Sequence, residues 1–488
     1  MIFGKERIIY PYARNLLFLL ALLASLYIIG VIVVNDYQII VPVTWLIFMG
    51  LFSIYKYTNK NRRYYTPIIL TIFYFFGYLL SLANTLMNKS NLRAIGFKAI
   101  GSFGFSFWEY LSLTFIISTG MLGILCSVVF MEKFKNSCRS LFRYFNPNKK
   151  QIIRINYVII SLLIWFLIST AIFLYMNKIG IGRTGLKPET LLPFKLVGIL
   201  FYVKLILIPC LGCFLFGVIL ETNNKILINL SIILLILLGI IGSISGISRG
   251  SLIFSVLPSF IYMLFKSHKN DFKRKILKSY SIIAILLLMI LIPLVLGMRN
   301  IGYAGGKIDF STAINILKSF KVADLPGAAG SLISLILDRV MGINELYAVF
   351  SSGIKDLYAP WALFITDGAY LEKIIKAVFG FVPSNEGNLA FGVGFGLWGV
   401  LQLSGSYSVI FLGTFVACSL SMAIEEIFIR NGMYYVACFF AINFGMLVWE
   451  GLYVSRLSRT LLMIFICLII TVSLKKLFYR RITCETSL

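Results

Sequence analysis

Histidine is nearly missing from this 488-residue chain, where His268 is the only one, so no set of imidazoles is present to hold a metal. Acidic residues are scarce too: 19 Asp and Glu stand against 45 Lys and Arg, and charged residues together make up 13% of the sequence. An ordinary soluble domain carries about a quarter of its residues charged. This chain therefore lacks the charge to clothe a surface in water. No Gly-rich phosphate loop, zinc-finger spacing or tandem repeat is present, which argues against an ATPase or a solenoid. Of eight cysteines, only Cys138 and Cys484 fall clearly outside apolar runs, both on the side assigned below to the cytoplasm. No external disulfide is indicated. Cys210 and Cys213 form a C-x-x-C inside an apolar run, where they read as small packing residues.

What the chain has in quantity is apolar surface, 59% of residues with 15% aromatic. Long apolar runs of about 20 residues suit a bilayer as solvent. Twelve are found: Asn15 to Val34, Gln38 to Tyr55, Pro67 to Met87, Phe107 to Phe130, Ile155 to Met176, Phe194 to Leu220, Ile226 to Ile247, Gly250 to Phe265, Ser279 to Gly297, Tyr407 to Ala423, Met433 to Trp449 and Leu461 to Leu474. The expected fold is all-α and polytopic, a single membrane domain over 1–488. The first run follows Lys5, Arg7 and Arg14 but is too long for a signal peptide, so it reads as a retained span.

The net charge of +26 would suggest nucleic acid if it were clustered on one surface. Its placement says otherwise, because the basic residues sit in the connections between spans. With the N-terminus inside, the inner connections carry 26 Lys and Arg and the outer ones 17, although the outer ones are far longer. Lys/Arg excess in short loops orients membrane proteins, which places both termini in the cytoplasm and excludes nucleic acid as a partner.

One outer connection departs from a simple zigzag. It covers 298–395, and a loop of that length is rarely idle. Ile333, Ile336, Leu337, Val340 and Met341 recur at helical spacing between Ser331 and Phe350, predicting an amphipathic helix. A second short helix is expected from Asp367 to Phe379. Gly392, Gly394, Gly396 and Gly399 then return the backbone to the membrane with little side-chain bulk.

Candidate chemistry gathers on this outer face. Arg249 lies in Ser245-Gly-Ile-Ser-Arg-Gly250, a turn too tight to need a charge for solubility. There a guanidinium and backbone N–H groups could converge on a phosphate; contact with lipid phosphates is the alternative. Arg299 opens the long connection and Arg339 lies in its first helix, and neither has a carboxylate three or four residues away. Lys204 sits near the middle of the sixth run, where an ammonium is costly unless it faces a cavity or a partner. Lys195 stands nearer the surface, within snorkelling reach. Glu450, Arg456 and Arg459 occupy the rim where loop meets membrane, with interfacial anchoring as the plainer reading of the two arginines. Among ten outward carboxylates the sequence does not choose a base, though Glu386 and Glu450 are better placed for a cleft than Glu372, which pairs with Lys376. Tyr303, Tyr347, Tyr358, Trp361 and Tyr370 could stack on sugar or anchor the interface.

These features together resemble the O-antigen polymerases (Wzy) of the oligosaccharide repeat-unit polymerase family over most of the chain. The features that match are the number of spans, the turn Gly246-Ile-Ser-Arg-Gly250, the long outer loop with arginines, and the return Gly392-Val-Gly-Phe-Gly-Leu-Trp-Gly399. The resemblance implies a GT-C-like, metal-independent glycosyltransferase of the bacterial inner membrane that needs no cofactor. Its donor and acceptor would be undecaprenyl-pyrophosphate-linked oligosaccharides, with membrane lipid and a chain-length regulator as further partners. Arg249, Arg299 and Arg339 would then be catalytic, with Glu386 in the place of the acidic residue that usually precedes the return. Lys204, Lys195, Glu450, Arg456 and Arg459 would bind substrate. The chain departs from some members in lacking an Arg-x10-Gly pair, since Phe350 stands eleven residues after Arg339. An O-antigen ligase would share the architecture but place a histidine in the large loop, and His268 lies instead among cytoplasmic lysines. A lipid-linked oligosaccharide flippase would often show two similar halves, which are not clear here.

Overall fold

The computed structural model describes residues 11–35, 37–58, 64–79, 82–83, 106–137, 151–181, 183, 196–248, 250–266, 271–303, 310–319, 343–365, 374, 376–378, 396–450 and 454–481. The chain is built from α-helices. In order they are α1 (Pro11–Asn35), α2 (Ile40–Thr58), α3 (Thr66–Tyr74), α4 (Phe107–Ser137), α5 (Ile155–Lys178), α6 (Leu196–Tyr202), α7 (Ile208–Thr222), α8 (Lys225–Gly246) and α9 (Gly250–Lys266). There follow α10 (Asp271–Tyr303), α11 (Phe310–Ser319), α12 (Ile343–Ser351), α13 (Ala359–Ile365), α14 (Gly396–Gln402), α15 (Tyr407–Arg430), α16 (Tyr434–Glu450) and α17 (Val454–Phe478). Among the described residues, nine helices are long and apolar enough to cross a membrane. Helices α3, α9 and α16 occupy three further apolar runs but are shorter.

Local sequence explains several boundaries. Asn224 caps α8, its side-chain oxygen accepting from the backbone N–H groups of Ile226 and Leu227, which would otherwise have no partner in the first turn. Ser106 and Glu109 form a capping box at the start of α4, with Glu109 Oε2 accepting from Ser106 N at 2.7 Å. Between α6 and α7 the helix widens into a π turn over Val203–Leu207, where Ile208 N donates to Val203 O. Pro209 follows at once; it has no N–H and its ring crowds the carbonyl four residues back, a recognised cause of such distortion.

Helix α16 is the centre of the bundle. Residues 435–445 are buried on every side, and α16 packs against α3, α7, α9, α14, α15 and α17. A helix apolar all round is a core helix, and one shielded in this way has little contact with lipid. The periphery differs: the most apolar windows of α1, α5 and α17 are each 28% buried, against 78% for the window spanning α6 and α7. Small residues let the inner helices approach. A Cβ on Gly217 would meet the Tyr435 ring at 2.1 Å, and one on Gly120 would meet the Trp398 indole at 2.1 Å.

The end of the bundle that carries the connection from α10 to α15 is called here the loop end. Helix α12 packs there on α4 and α14. Helix α14, with its residues from Gly396 to Leu401 buried, is the described part of the glycine-rich return; Gly392 and Gly394 lie outside the described residues. It begins at Gly396 in the left-handed region, φ +67°, a conformation that glycine adopts at no steric cost. At the opposite end, β1 (Gln151–Ile153) pairs antiparallel with β2 (Tyr479–Arg481), a short ribbon that the all-α reading did not anticipate. Of the two loop helices expected, the first is described only over α12 and the second only at 374 and 376–378.

Candidate anion site at the loop end

Helix α8 closes at the loop end in a tight cap. Ile247 adopts φ +47°, and Ser248 N donates back to Ser243 O at 2.9 Å. That is the Schellman pattern, in which glycine is the usual left-handed residue. A β-branched residue there is strained, and such strain persists only when its surroundings enforce it. Two features do so. The Ile247 side chain is fully buried, and its carbonyl accepts from Arg299 Nε at 3.2 Å and Nη2 at 3.1 Å. Arg299 thus does not open a solvated loop, as its sequence position suggested. It lies in the last turns of α10, 8% exposed, with its guanidinium on the turn that carries Arg249 two residues after Ile247.

Lys204 is on the π turn and likewise 8% exposed. Its Nζ stands 5.9 Å from the centroid of the Phe173 ring on α5, a cation–π contact that offsets part of the cost of burying the ammonium. Phe173 is pressed against α8: a Cβ on Gly242 would lie 2.9 Å from its Cε2 and 3.3 Å from Ser251 Cβ on α9. One ring therefore joins Lys204 to α8, the helix that leads into the Arg249 turn.

A third buried cation escaped the sequence reading. Arg183, 8% exposed, follows α5 and donates from Nη2 to Asn177 O at 3.1 Å. A signal was present: Gly180-Ile-Gly-Arg183 after α5 repeats the pattern of Gly246-Ile-Ser-Arg249 after α8. Among the described residues Arg183, Lys204 and Arg299 are the buried bases, and all three lie toward the loop end.

Arg249, Arg339, Glu386 and Lys195 lie outside the described residues. Glu450 ends α16, while Arg456 and Arg459 fall in the first turns of α17, so their backbones are at the loop end; α17 packs along α6 and the π turn. Of the outward carboxylates, Glu109 is committed to structure, since its Oε1 accepts from Tyr347 Oη at 2.9 Å while Oε2 serves the capping box. Asp356 is committed too, its Oδ1 accepting from Tyr358 N at 2.8 Å. Tyr347 is 7% exposed and fastens α12 to α4, which corrects its reading as a sugar platform. Tyr358 and Trp361, 63% and 62% exposed, remain open surface aromatics; Tyr370 and the Tyr303 side chain lie outside the described residues.

The opposite end has a different chemistry. Glu425 on α15 accepts from Tyr65 N at 2.7 Å, Thr66 N at 2.8 Å and the Thr66 hydroxyl, so it caps α3 from another helix. Glu426 pairs with Arg430 at 2.6 Å. Among the described residues no group of three or more His, Cys, Asp or Glu side chains could hold a metal ion. Cys210 and Cys213 are buried in the core, and Cys213 Sγ donates to Tyr435 O at 3.4 Å. No protein-family model, curated protein or solved structure matches the chain.

Proposed function

We propose that this membrane protein is a metal-independent polymerase of lipid-linked oligosaccharide repeat units, with twelve spans and a GT-C-like plan. Its donor is a glycan on a polyprenyl diphosphate, and its acceptor is the non-reducing end of a second lipid-linked unit. The single observation that carries this reading is the bidentate contact of Arg299 with Ile247 O, which brings one predicted arginine onto the turn of another at the end where the long connection lies. The Lys/Arg bias of the connections supports placing that end outside and the termini in the cytoplasm, and the polymerase reading implies a bacterial inner membrane.

The chemistry follows from the charge. An acceptor hydroxyl oxygen attacks the anomeric carbon of the donor, and the bond from that carbon to the diphosphate oxygen breaks with its electron pair on the oxygen. The hydroxyl proton passes to a carboxylate base, for which Glu386 is the candidate. The departing diphosphate gains one negative charge, and fixed guanidinium groups stabilise it without reorganising. Arg299, Arg249 and Arg339 fill that role, and Lys204 and Lys195 hold the diphosphate as substrate binds. Glu450, Arg456 and Arg459 line the entry where α16 meets α17. A chain-length regulator would act on this assembly from outside.

The test is polymer formation by the purified full chain from lipid-linked repeat units, with a chelator present and no nucleotide. A ladder of lengths is the expected result. Transfer to lipid A alone would make the protein a ligase, and movement of intact substrate across vesicles without elongation would make it a flippase.

A further inference from the structure

The two helices that share the pattern Gly-Ile-small-Arg are packed against each other, and both end at the loop end. Each closes with a left-handed residue, Gly180 at φ +66° after α5 and Ile247 at φ +47° after α8. In each, an N–H returns to a carbonyl five residues back: Ile181 to Met176 at 2.9 Å, Ser248 to Ser243 at 2.9 Å. The isoleucine of each turn is fully buried. The caps are shifted by one residue relative to the shared pattern, but the outcome is the same: a buried apolar anchor, then an arginine.

Their relative height can be worked out from Phe173 and Gly242, which touch. Asn177 lies four residues beyond Phe173, about 6 Å along α5, and Ile247 five beyond Gly242, about 7.5 Å along α8. The carbonyls of Asn177 and Ile247 therefore stand at nearly the same level on neighbouring helices, whose axes are about 8–10 Å apart. One carries the guanidinium of Arg183 and the other that of Arg299. Lys204, over the Phe173 ring, lies about one turn deeper. Two guanidiniums at about one level, with an ammonium about one turn deeper, make a cationic set whose chemistry suits a diphosphate.

We propose that Arg183 is a diphosphate-binding residue, the α5 counterpart of the arginine turn on α8, and that it binds the lipid diphosphate together with Arg299. The identity of the ligand as a lipid diphosphate rests on the polymerase reading. The existence of the site does not.

The experiment is calorimetric titration of the purified full chain with inorganic pyrophosphate, orthophosphate serving as the monophosphate control, for wild type, Arg183→Gln and Arg183→Lys. The same preparations are assayed for polymer. Wild type should bind pyrophosphate more tightly than orthophosphate. The Gln variant should bind it about 10- to 100-fold more weakly, as expected for loss of a charge-assisted contact. The Lys variant, which keeps charge and folding but not the planar fork, should also be weakened. Weakened binding in both variants, with no polymer even from wild type, would uphold the site and sink the polymerase. Polymer from wild type, with pyrophosphate binding unchanged in a folded Arg183→Lys or Gln protein, would sink the site and leave the polymerase standing. Failure of wild type to bind pyrophosphate at millimolar concentration would also overturn the site.

Discussion

Replacing Arg299 separates the cap contact it makes from the role proposed for it on a diphosphate. In the structure its Nε and Nη2 both donate to the carbonyl of Ile247, at 3.2 and 3.1 Å, on a fully buried residue held at φ +47°. Arg299→Gln removes the charge and the fork together. Loss of a hydrogen bond from a charged donor to a buried carbonyl costs about 1.5–3 kcal/mol, and loss of a cation at a helix C-terminus about 0.3–1 kcal/mol more. The sum is about 2–4 kcal/mol, enough to lower the unfolding midpoint clearly in detergent, read by tryptophan fluorescence or SDS titration. Arg299→Lys keeps the positive charge near the α8 terminus but loses the paired N–H geometry, so it should recover part of the stability. If Arg299 only clasps the turn, polymer formation should follow stability, and the Lys variant should be active wherever it is folded. If it also receives the leaving diphosphate, the folded Lys variant should remain far below wild type. A Gln variant with the wild-type midpoint would refute the account of the cap.

Other parts of the structure make separate predictions. Gly120→Ala places a Cβ 2.1–2.5 Å from three atoms of the Trp398 indole, which is held by its Nε1 bond to Thr414 Oγ1; the overpacking should cost about 1–3 kcal/mol, and a variant with unchanged unfolding would show that α14 is not packed there. Glu425→Ala leaves the N–H groups of Tyr65 and Thr66 buried without their acceptor, with an expected loss of about 2–5 kcal/mol in the same unfolding assay; a shift within about 0.5 kcal/mol would show that the cap is dispensable. Burial chiefly, with Glu109 adding to it, raises the Tyr347 phenol above its ordinary value of 10.0. A raised value in the folded state means stability that is present below pH 10 and lost as the pH climbs through the folded value. Limited proteolysis near α12 should therefore accelerate at strongly alkaline pH in wild type, while Tyr347→Phe should be cut faster at neutral pH and lose the alkaline step.

How far the sequence reveals this molecule depends on which physical force acts. Burial in lipid demands about twenty apolar residues in a row, and such runs are visible without any structure, so the helices fall where the apolar stretches lie. Alternation of the ends is likewise readable. What escaped was decided by tertiary contact. Arg299 reads as the first residue of a loop because Asn300, Gly302 and two glycines at 305 and 306 follow it, yet α10 continues to Tyr303 and turns the guanidinium onto a neighbouring helix. Tyr347 reads as an exposed ring until α4 is brought beneath it. Lys204 was marked by its cost in an apolar run, but the ring that faces it is thirty-one residues away in sequence. Arg183 lies just beyond an apolar run with nothing in its local spacing to mark it, and only the left-handed cap at Gly180 brings its guanidinium back onto Asn177 O of α5. The repeated Gly-Ile-small-Arg pattern was the one cue to it, and two occurrences 66 residues apart carry meaning only once α5 and α8 are known to touch.

The buried charges are also divided between the two ends, and the division bears on which reaction the fold can serve. Among the described residues the buried bases are Arg183, Lys204 and Arg299, toward the loop end, and the buried acids are Glu425 and Glu426, at the opposite end. The acids are compensated where they stand, Glu425 by the first turn of α3 and Glu426 by Arg430. The contacts of the bases include a backbone carbonyl for each of Arg183 and Arg299 and the Phe173 ring for Lys204. A transporter of anionic lipid must favour its cargo at both faces in turn, whereas an enzyme that releases a diphosphate needs positive potential where the bond breaks. The polymerase proposed above needs such potential at the loop end, and three buried bases of the described residues stand there.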